Sequence, residues 1–322
     1  MATDFREVIG RNRRDSFLLV CVFVVLIAVL AGVIGRAISG NMAHSLFIGG
    51  VAMGLSLLVS LAGFYGGADL VLSVSGAHEI SHDDDPQLFN IVEELSIAAG
   101  LPMPKVYLII DPAPNAFATG RDPKHAVIAV TAGLRGKLTR DELQGVIAHE
   151  MSHVRNYDIR YSMMVAVMVG TIVMLADFFL RSLWFTGGGR RSDRDDRDNK
   201  GGAQVIMMVI AIVLAILAPI LAKLIQMAVS RHRESLADAS SVELTRNPLG
   251  LAHALQKIAA DPDPLASANR GTQHLYIVNP LRKEGNWTSD LMATHPPIEE
   301  RINKLLAMAH EYPAAEAATP ST

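Results

Sequence analysis

The chain has 322 residues, of which half are hydrophobic and 19% are charged. This composition excludes a disordered protein, which combines low hydrophobicity with a high net charge. The formal net charge of −3 gives no basic excess, so we expect no nucleic-acid partner. The single cysteine, Cys21, excludes a disulfide-stapled secreted domain and a cysteine-rich zinc module.

Four stretches without Asp, Glu, Lys or Arg predict membrane helices, because about 20 apolar residues cross the hydrocarbon of a bilayer. They cover residues 16–35, 37–68, 161–176 and 201–222. The first two are expected to span the membrane. The last two have an alternative, a buried helical hairpin that enters the lipid only in part.

The arginines around the first stretch predict a cytoplasmic N terminus by the positive-inside rule. Arg6, Arg11, Arg13 and Arg14 precede it, whereas only Arg36 follows it. The two polar parts of the chain, 69–160 and 223–322, then also lie in the cytoplasm. The basic segment 181–200 conflicts with this topology because it would lie outside. We give the first helix more weight, since it usually determines the orientation.

The polar part 69–160 predicts helices and short strands in alternation. The acidic loop 82–86 is typical of a solvated turn, with Pro86 at the start of a helix over 87–99. Strands are predicted at 105–110 and 126–130. Thr139 and Glu142 have the spacing of a capping box, which predicts a helix that continues unbroken into the third apolar stretch. Further helices are predicted over 230–244 and 249–260 and from about Pro297 onward.

The helix after Thr139 carries the sequence His149-Glu150-Met151-Ser152-His153. Residues four apart share a helix face, so both imidazoles can bind one ion, and neutral histidine nitrogens suit Zn²⁺. A catalytic zinc takes three protein ligands and leaves a position for water, whose proton the adjacent Glu150 can accept. The alternative is a pair of histidines on an ordinary polar helix face.

The third ligand must come from elsewhere, because Asn156 and Ile159 stand where a metzincin has glycine and histidine. Glu234 and Asp238 lie four apart beyond the fourth apolar stretch, and the two intervening segments return the chain to the same side. One carboxylate can bind zinc while the other hydrogen-bonds a ligand imidazole, and the spacing does not say which. The short distance from both motifs to apolar stretches predicts a zinc site close to the membrane surface.

Taken in order along nearly the whole chain, these motifs resemble the HtpX-type membrane zinc endopeptidases. The matching features are two N-terminal membrane helices, Asn115-Ala-Phe-Ala-Thr-Gly120, the motif from His149 to His153, two further apolar segments, Ser230-Arg-His-Arg-Glu234 with Ala237-Asp238, and Thr294-His-Pro-Pro297. The resemblance implies a gluzincin-like fold, one zinc ion held by His149, His153 and Glu234, and Glu150 as base. It also implies an inner-membrane protein whose site faces the cytoplasm and whose task is proteolytic quality control of membrane proteins.

The resemblance gives roles to three further parts of the chain. Its substrate-side segment, an edge strand expected to pair with extended substrate backbone, corresponds to Asn115, Ala116, Phe117, Ala118 and Thr119. His295 is similar to a histidine near the zinc that stabilises the oxyanion. The alternatives are an Asn115 that caps its own turn and a His295 that caps the next helix. Asp238 is expected to orient a ligand histidine, and Arg301 to be structural.

The expected fold class is mainly α with a small β-sheet (α+β) and four hydrophobic helices. The expected parts are membrane helices in 1–68, the first half of the protease domain in 69–160, a membrane hairpin with a polar loop in 161–228, the second half in 229–311 and a disordered tail in 312–322. The expected partners are the lipid bilayer and misfolded or unfolded protein substrates.

Two other functions are alternatives to a membrane endopeptidase. A CAAX-type prenyl protease shares the motif of His149 and His153 but has more membrane helices than the four predicted here. A membrane scaffold or holdase with a structural zinc ion would normally use four protein ligands and no adjacent base. The presence of Glu150 beside the first ligand favours catalysis.

Overall fold

The computed structural model describes residues 5–39, 41–187, 231–265, 275–278 and 297–311. Within these ranges the chain is mainly helical with a small mixed sheet, as the sequence predicts. Three predictions lie outside the described residues: the fourth apolar stretch, His295 and the tail 312–322. For 173–187 only the helical backbone is described.

Two long helices, α1 (Phe5–Ser39) and α2 (Met42–Val74), pack side by side in opposite directions. Ser45 Oγ donates a hydrogen bond to the Gly32 carbonyl across the pair at 2.6 Å. Both helices are long and apolar enough to cross a membrane, over Glu7–Val33 and Met42–Val74. Only 17% of the most apolar part of the first and 22% of the second are buried within the protein, so these surfaces suit lipid rather than a protein core.

The mixed sheet has four strands in the part of the chain that the structure describes: β1 (Ala77–Glu79), β2 (Lys105–Ile109), β3 (Ala116–Gly120) and β4 (Ala126–Thr131). Their order is β1-β2-β4-β3, with β2 and β4 parallel and the outer pairs antiparallel. The two predicted strands are confirmed to within a residue, and β1 was not predicted. Among the described strands, β3 lies at an edge.

Helix α3 (Pro86–Ala99) is confirmed to within a residue, with Asp85 as its N-cap, Pro86 in the first turn and the predicted face of Leu88, Ile91 and Leu95 buried. A short helix, α4 (Ala132–Lys137), leads from β4 into α5 (Arg140–Arg155). The predicted capping box at the start of α5 is confirmed, because Thr139 and Glu142 each bind the other's backbone N–H. Helix α5 is the centre of the core, with eleven of its side chains buried.

The prediction of one unbroken helix from Thr139 into the third apolar stretch is wrong. Helix α5 ends at Asn156, Tyr157 takes a positive φ of 62°, and a new helix α6 (Asp158–Gly187) begins directly afterwards. A left-handed backbone is strained for a bulky aromatic residue, so surrounding contacts must hold it. One of them is the Arg13 guanidinium of α1, which lies 4.3 Å from the centre of the Tyr157 ring.

The first half of α6 packs against both N-terminal helices. Met163, Met164 and Met168 form one apolar cluster with Leu19 and Phe23 of α1. On the α2 side, the glycines at 63 and 67 leave room for the α6 side chains that lie over them. The membrane helices are therefore joined directly to the helix that follows α5.

Three helices complete the core, namely α7 (Arg231–Thr245), α8 (Pro248–Ala260) and α9 (Ile298–Glu311), at the predicted places. Helices α5 and α8 approach so closely that neither has room for a Cβ at the contact. A Cβ on Gly145 would lie 2.6 Å from the Leu251 backbone nitrogen, and one on Gly250 would lie 2.6 Å from the Asp141 carbonyl oxygen. This contact fixes α5 one turn before His149.

We expect Gly145→Ala to lower the free energy of unfolding by roughly 1–3 kcal/mol, because the added methyl group forces two backbones apart. Gly136→Ala on α4 is the control, since a Cβ there meets nothing within 4 Å. Alanine's higher helix propensity should leave that variant as stable as the wild type or slightly more so. Melting temperatures in detergent compare the two, and equal values would show that the α5–α8 contact tolerates a methyl group.

Candidate metal centre

Three side chains converge on one point from two helices. His149 and His153 come from α5, Glu234 comes from the first turn of α7, and one donor atom from each lies within 4.8 Å of the others. The two Nε2 atoms are 3.2 Å apart, and the Glu234 oxygens lie 3.6 Å from His149 Nε2 and 3.7 Å from His153 Nε2. His149 and Glu234 are buried, and His153 is partly buried.

These distances fit a zinc ion. Tetrahedral bonds of about 2.0–2.2 Å place neighbouring donor atoms about 3.3–3.6 Å apart. Each histidine also turns its Nδ1 toward a carboxylate, which favours a proton on Nδ1 and leaves the two Nε2 atoms facing each other. Two deprotonated Nε2 atoms would repel each other, so a positive charge, either a proton or a metal ion, belongs between them.

Each ligand histidine is held from behind by its own carboxylate. Asp238 Oδ1 lies 3.0 Å from His149 Nδ1, one helical turn along α7 from Glu234. Asp158 Oδ2 lies 3.0 Å from His153 Nδ1, at the first residue of α6. Such a partner fixes the ring orientation and increases the basicity of the ligand nitrogen.

Sequence reasoning missed Asp158 because it assumed an unbroken helix. Five residues along a regular α-helix, Asp158 would point about 140° away from His153. The break at Tyr157 returns the Asp158 carboxylate to the ring. Asp238, by contrast, shares a face with Glu234 on an unbroken helix. The structure places its carboxylate beside His149, as the expected pairing with a ligand histidine requires.

Arg301 of α9 donates two hydrogen bonds to the Asp238 carboxylate, from Nε at 2.9 Å and from Nη2 at 2.7 Å. Its Nη1 lies 3.5 Å from a Glu234 oxygen and donates to the Ile277 carbonyl. The guanidinium is 3% exposed, so its charge is almost fully withdrawn from water. Arg301 thus links α9 and the segment 275–278 to the metal ligands, in line with the expected structural role.

Burial and neighbouring charges set the protonation of the site. Burial favours a neutral Asp238, but the Arg301 charge and the His149 hydrogen bond outweigh it and lower the pKa of Asp238 to about 2. Burial also opposes a charge on His149, yet hydrogen bonds to Asp238 and Glu234 raise the pKa of that ring to about 9. At neutral pH a metal ion must therefore displace a proton from His149.

Glu150 lies beside the donor cluster, 2% exposed, and burial raises the pKa of its carboxyl group against the opposing charges of His149 and His153. A raised pKa brings a carboxylate closer to the range in which it can both take up and release a proton. The Ala118 backbone N–H faces the same carboxyl group and weakly opposes the rise in its pKa, and helix α5 packs against β3. The edge strand β3 and the proposed base are therefore in contact.

Two residues of the predicted substrate-side segment, Asn115 and Phe117, make contacts within the protein. Phe117 is fully buried and packs edge-to-face on Tyr276, with ring centres 5.1 Å apart. The Asn115 amide donates to the Val278 carbonyl at 3.0 Å, and its oxygen accepts from the Ala116 N–H. The Asn115 side chain thus bonds to backbone groups of this protein, which is closer to the alternative of a capping residue than to a substrate contact. Contact between Asn115 and substrate stays a prediction.

The profile of peptidase family M48 matches residues 82–309. The chain is 44% identical over 297 residues to a protein named "Protease HtpX homolog" from Ligilactobacillus salivarius, covering 92% of this chain and 97% of that protein. It is 45% identical over 300 residues to the protein of the same name from Lactobacillus helveticus, covering 93% and 98%. The crystal structure of S. mikatae Ste24p gives a TM-score of 0.47 at 20% identity, over 86% of this chain and 61% of that one, which is too low to establish a shared fold.

We expect Asp238→Asn to weaken zinc binding by about tenfold or more, because His149 loses its anionic partner. Glu243→Gln on the same helix is the control, since Glu243 is exposed and lies five residues after Asp238, which places it about 140° around the helix from that carboxylate. Competition with a chelator on detergent-purified protein measures both affinities. Equal affinities in the two variants would show that the Asp238 carboxylate does not support the metal ligand.

Proposed function

The chain belongs to peptidase family M48 as a homologue of the HtpX proteases and is a metalloprotease, and we propose that its cofactor is one zinc ion held by His149, His153 and Glu234. The spacing of these donors supports the assignment, together with the carboxylate behind each histidine. When bound, zinc supplies a Lewis acid that polarises a carbonyl group and makes water more acidic. Three ligands in the order His, His, Glu also support the gluzincin class.

The proton transfers of peptide hydrolysis fall to Glu150. Its carboxylate takes a proton from the attacking water as the oxygen bonds to the scissile carbonyl carbon. It then gives the proton to the amine nitrogen as the C–N bond breaks. The raised pKa of Glu150 supports the first transfer, because it makes the carboxylate a stronger base toward water.

The edge strand β3 supplies a place for the substrate backbone. Alternate residues of an antiparallel strand point their N–H and C=O groups outward, and on β3 these are Ala116, Ala118 and Gly120. The Ala116 carbonyl accepts a hydrogen bond from the Ile277 N–H at 3.0 Å, so an internal segment covers one end. We assign the Ala118 and Gly120 end, next to Glu150, to substrate. Backbone pairing requires an extended chain and tolerates many sequences, which suits unfolded proteins.

The site lies where the membrane helices meet the protease domain. His153 is bound by the first residue of α6, and α6 packs on α1 below that point. We propose that α6 and residues 201–222 complete four membrane segments, with the predicted domain boundaries, and that the site faces the cytoplasm. The arginines before the first span support this orientation. The substrates would be misfolded or damaged membrane proteins, cleaved near the cytoplasmic surface.

We expect Glu150→Gln to retain one zinc ion per chain and to lose peptide hydrolysis by about 10²–10⁴-fold, because the amide cannot accept the proton of water. The measurement pairs zinc content with cleavage of an unfolded protein in detergent. Asp141→Asn is the control, an exposed carboxylate in the first turn of the same helix. A Glu150→Gln protein that cleaves at the rate of Asp141→Asn would overturn the assigned base, and zinc bound without cleavage by the wild type would favour a scaffold.

We also expect one unfolded sequence to be cleaved roughly tenfold or more faster when it is tethered to the same membrane than when it is soluble. Tethering raises the local concentration beside a site at the membrane surface. Proteoliposomes with each form of substrate at equal micromolar concentration provide the comparison. A soluble protease of broad specificity serves as a control that both forms are equally cleavable. Equal rates with the present protein would contradict selection at the membrane.

A further inference from the structure

The first membrane helix reaches the metal centre through one side chain. Asn12 of α1 is 1% exposed, and its amide nitrogen donates to Asp158 Oδ1 at 2.6 Å and to the Asn156 carbonyl at 2.8 Å. The other oxygen of Asp158 is the one that lies 3.0 Å from His153 Nδ1. An uninterrupted series of hydrogen bonds therefore runs from α1 to a ligand histidine.

The two bonds of Asn12 hold the break between α5 and α6 at both ends. The Asn156 carbonyl belongs to the C-terminal end of α5, where backbone acceptors lack partners within the helix. The Asp158 carboxylate opens α6. Between them, Tyr157 keeps its strained backbone while Arg13, the neighbour of Asn12 in α1, covers its ring. This corner of the chain is thus fixed by α1 rather than by its own sequence.

A buried amide is costly on a helix that otherwise presents apolar side chains such as Leu19 and Phe23 to α6, unless its hydrogen bonds are made. Both N–H groups of the Asn12 amide are used, one on each side of the break. A cation also lies near Asp158 Oδ1, since the Nε atom of Arg233 is 3.7 Å away. At that distance it contributes charge without fixing the direction of the carboxylate, which leaves the direction to Asn12.

We propose that Asn12 is a positioning residue for the metal site, which sets the Asp158 carboxylate so that His153 turns its Nε2 toward the ion. The inference rests on the proposed zinc site. It makes the first membrane helix part of the metal-binding structure as well as an anchor. Zinc affinity then depends on how α1 packs against the break between α5 and α6.

The test is a double-mutant cycle on zinc affinity in the full chain purified in detergent. Asn12→Ala and Asp158→Ala should each weaken zinc binding about 10–100-fold. If Asn12 acts through Asp158, adding Asn12→Ala to Asp158→Ala should weaken binding less than threefold further. Ser16→Ala is the matched control, because Ser16 is buried one turn along α1 and, among the described residues, its hydroxyl donates to the Asn12 carbonyl of its own helix. The zinc affinity of this variant should equal that of the wild type.

Asn12→Asp provides a second variant that keeps the side-chain shape and replaces the donor by an acceptor beside Asp158. It should weaken zinc binding at least as much as Asn12→Ala. Cobalt in place of zinc should show the visible absorption of a tetrahedral site in the wild type and in Ser16→Ala, and an altered spectrum in both Asn12 variants.

Wild-type zinc affinity in the Asn12 variants, or losses that simply add in the double variant, would overturn this inference alone. Failure of the wild type to bind zinc would overturn the proposed function and this inference with it.

Discussion

Two imidazole nitrogens held 3.2 Å apart within the protein are the constraint on which the rest of the structure depends. Neither nitrogen gains from the other unless a cation lies between them, and burial removes the water that would otherwise solvate them. The fold must therefore hold both rings in place by their far sides. It does so with Asp238 behind His149 and Asp158 behind His153, each at 3.0 Å.

Each of these carboxylates is buried in turn and requires its own partners. Asp238 is neutralised by the two hydrogen bonds from Arg301, which binds α9 and the segment 275–278 to the site. Asp158 accepts a hydrogen bond from the Asn12 amide of α1, 146 residues earlier in the chain. A buried charge left without such partners would cost several kcal/mol, so the carboxylates behind the two histidines take their partners from parts of the chain that are far apart in sequence.

The parts that the sequence predicts are those decided by local pattern. Helix α5, its capping box and the pair of histidines four residues apart follow from the period of a helix and the chemistry of its first turn. Glu234 and Asp238 follow from the same period on α7, since residues four apart share a helix face. The break at Tyr157 could not be found in this way, because a left-handed aromatic residue has no sequence signal. Asp158 and Asn12 were missed with it, since both owe their roles to that break and to a contact distant in sequence.

The arrangement has a consequence for the choice of substrates. In the proposed function, an edge strand that binds extended backbone would not distinguish one unfolded chain from another by sequence, and Glu150 beside Ala118 would act on whatever chain lies there. Discrimination must then come from which chains can reach the strand. The proposed ligand His153 is held by the first residue of α6, and through Asn12 by α1, which supports the proposed position of the site close to the bilayer. In the proposed function, access along the membrane surface would then replace the side-chain pockets that select substrates in proteases with a narrow specificity.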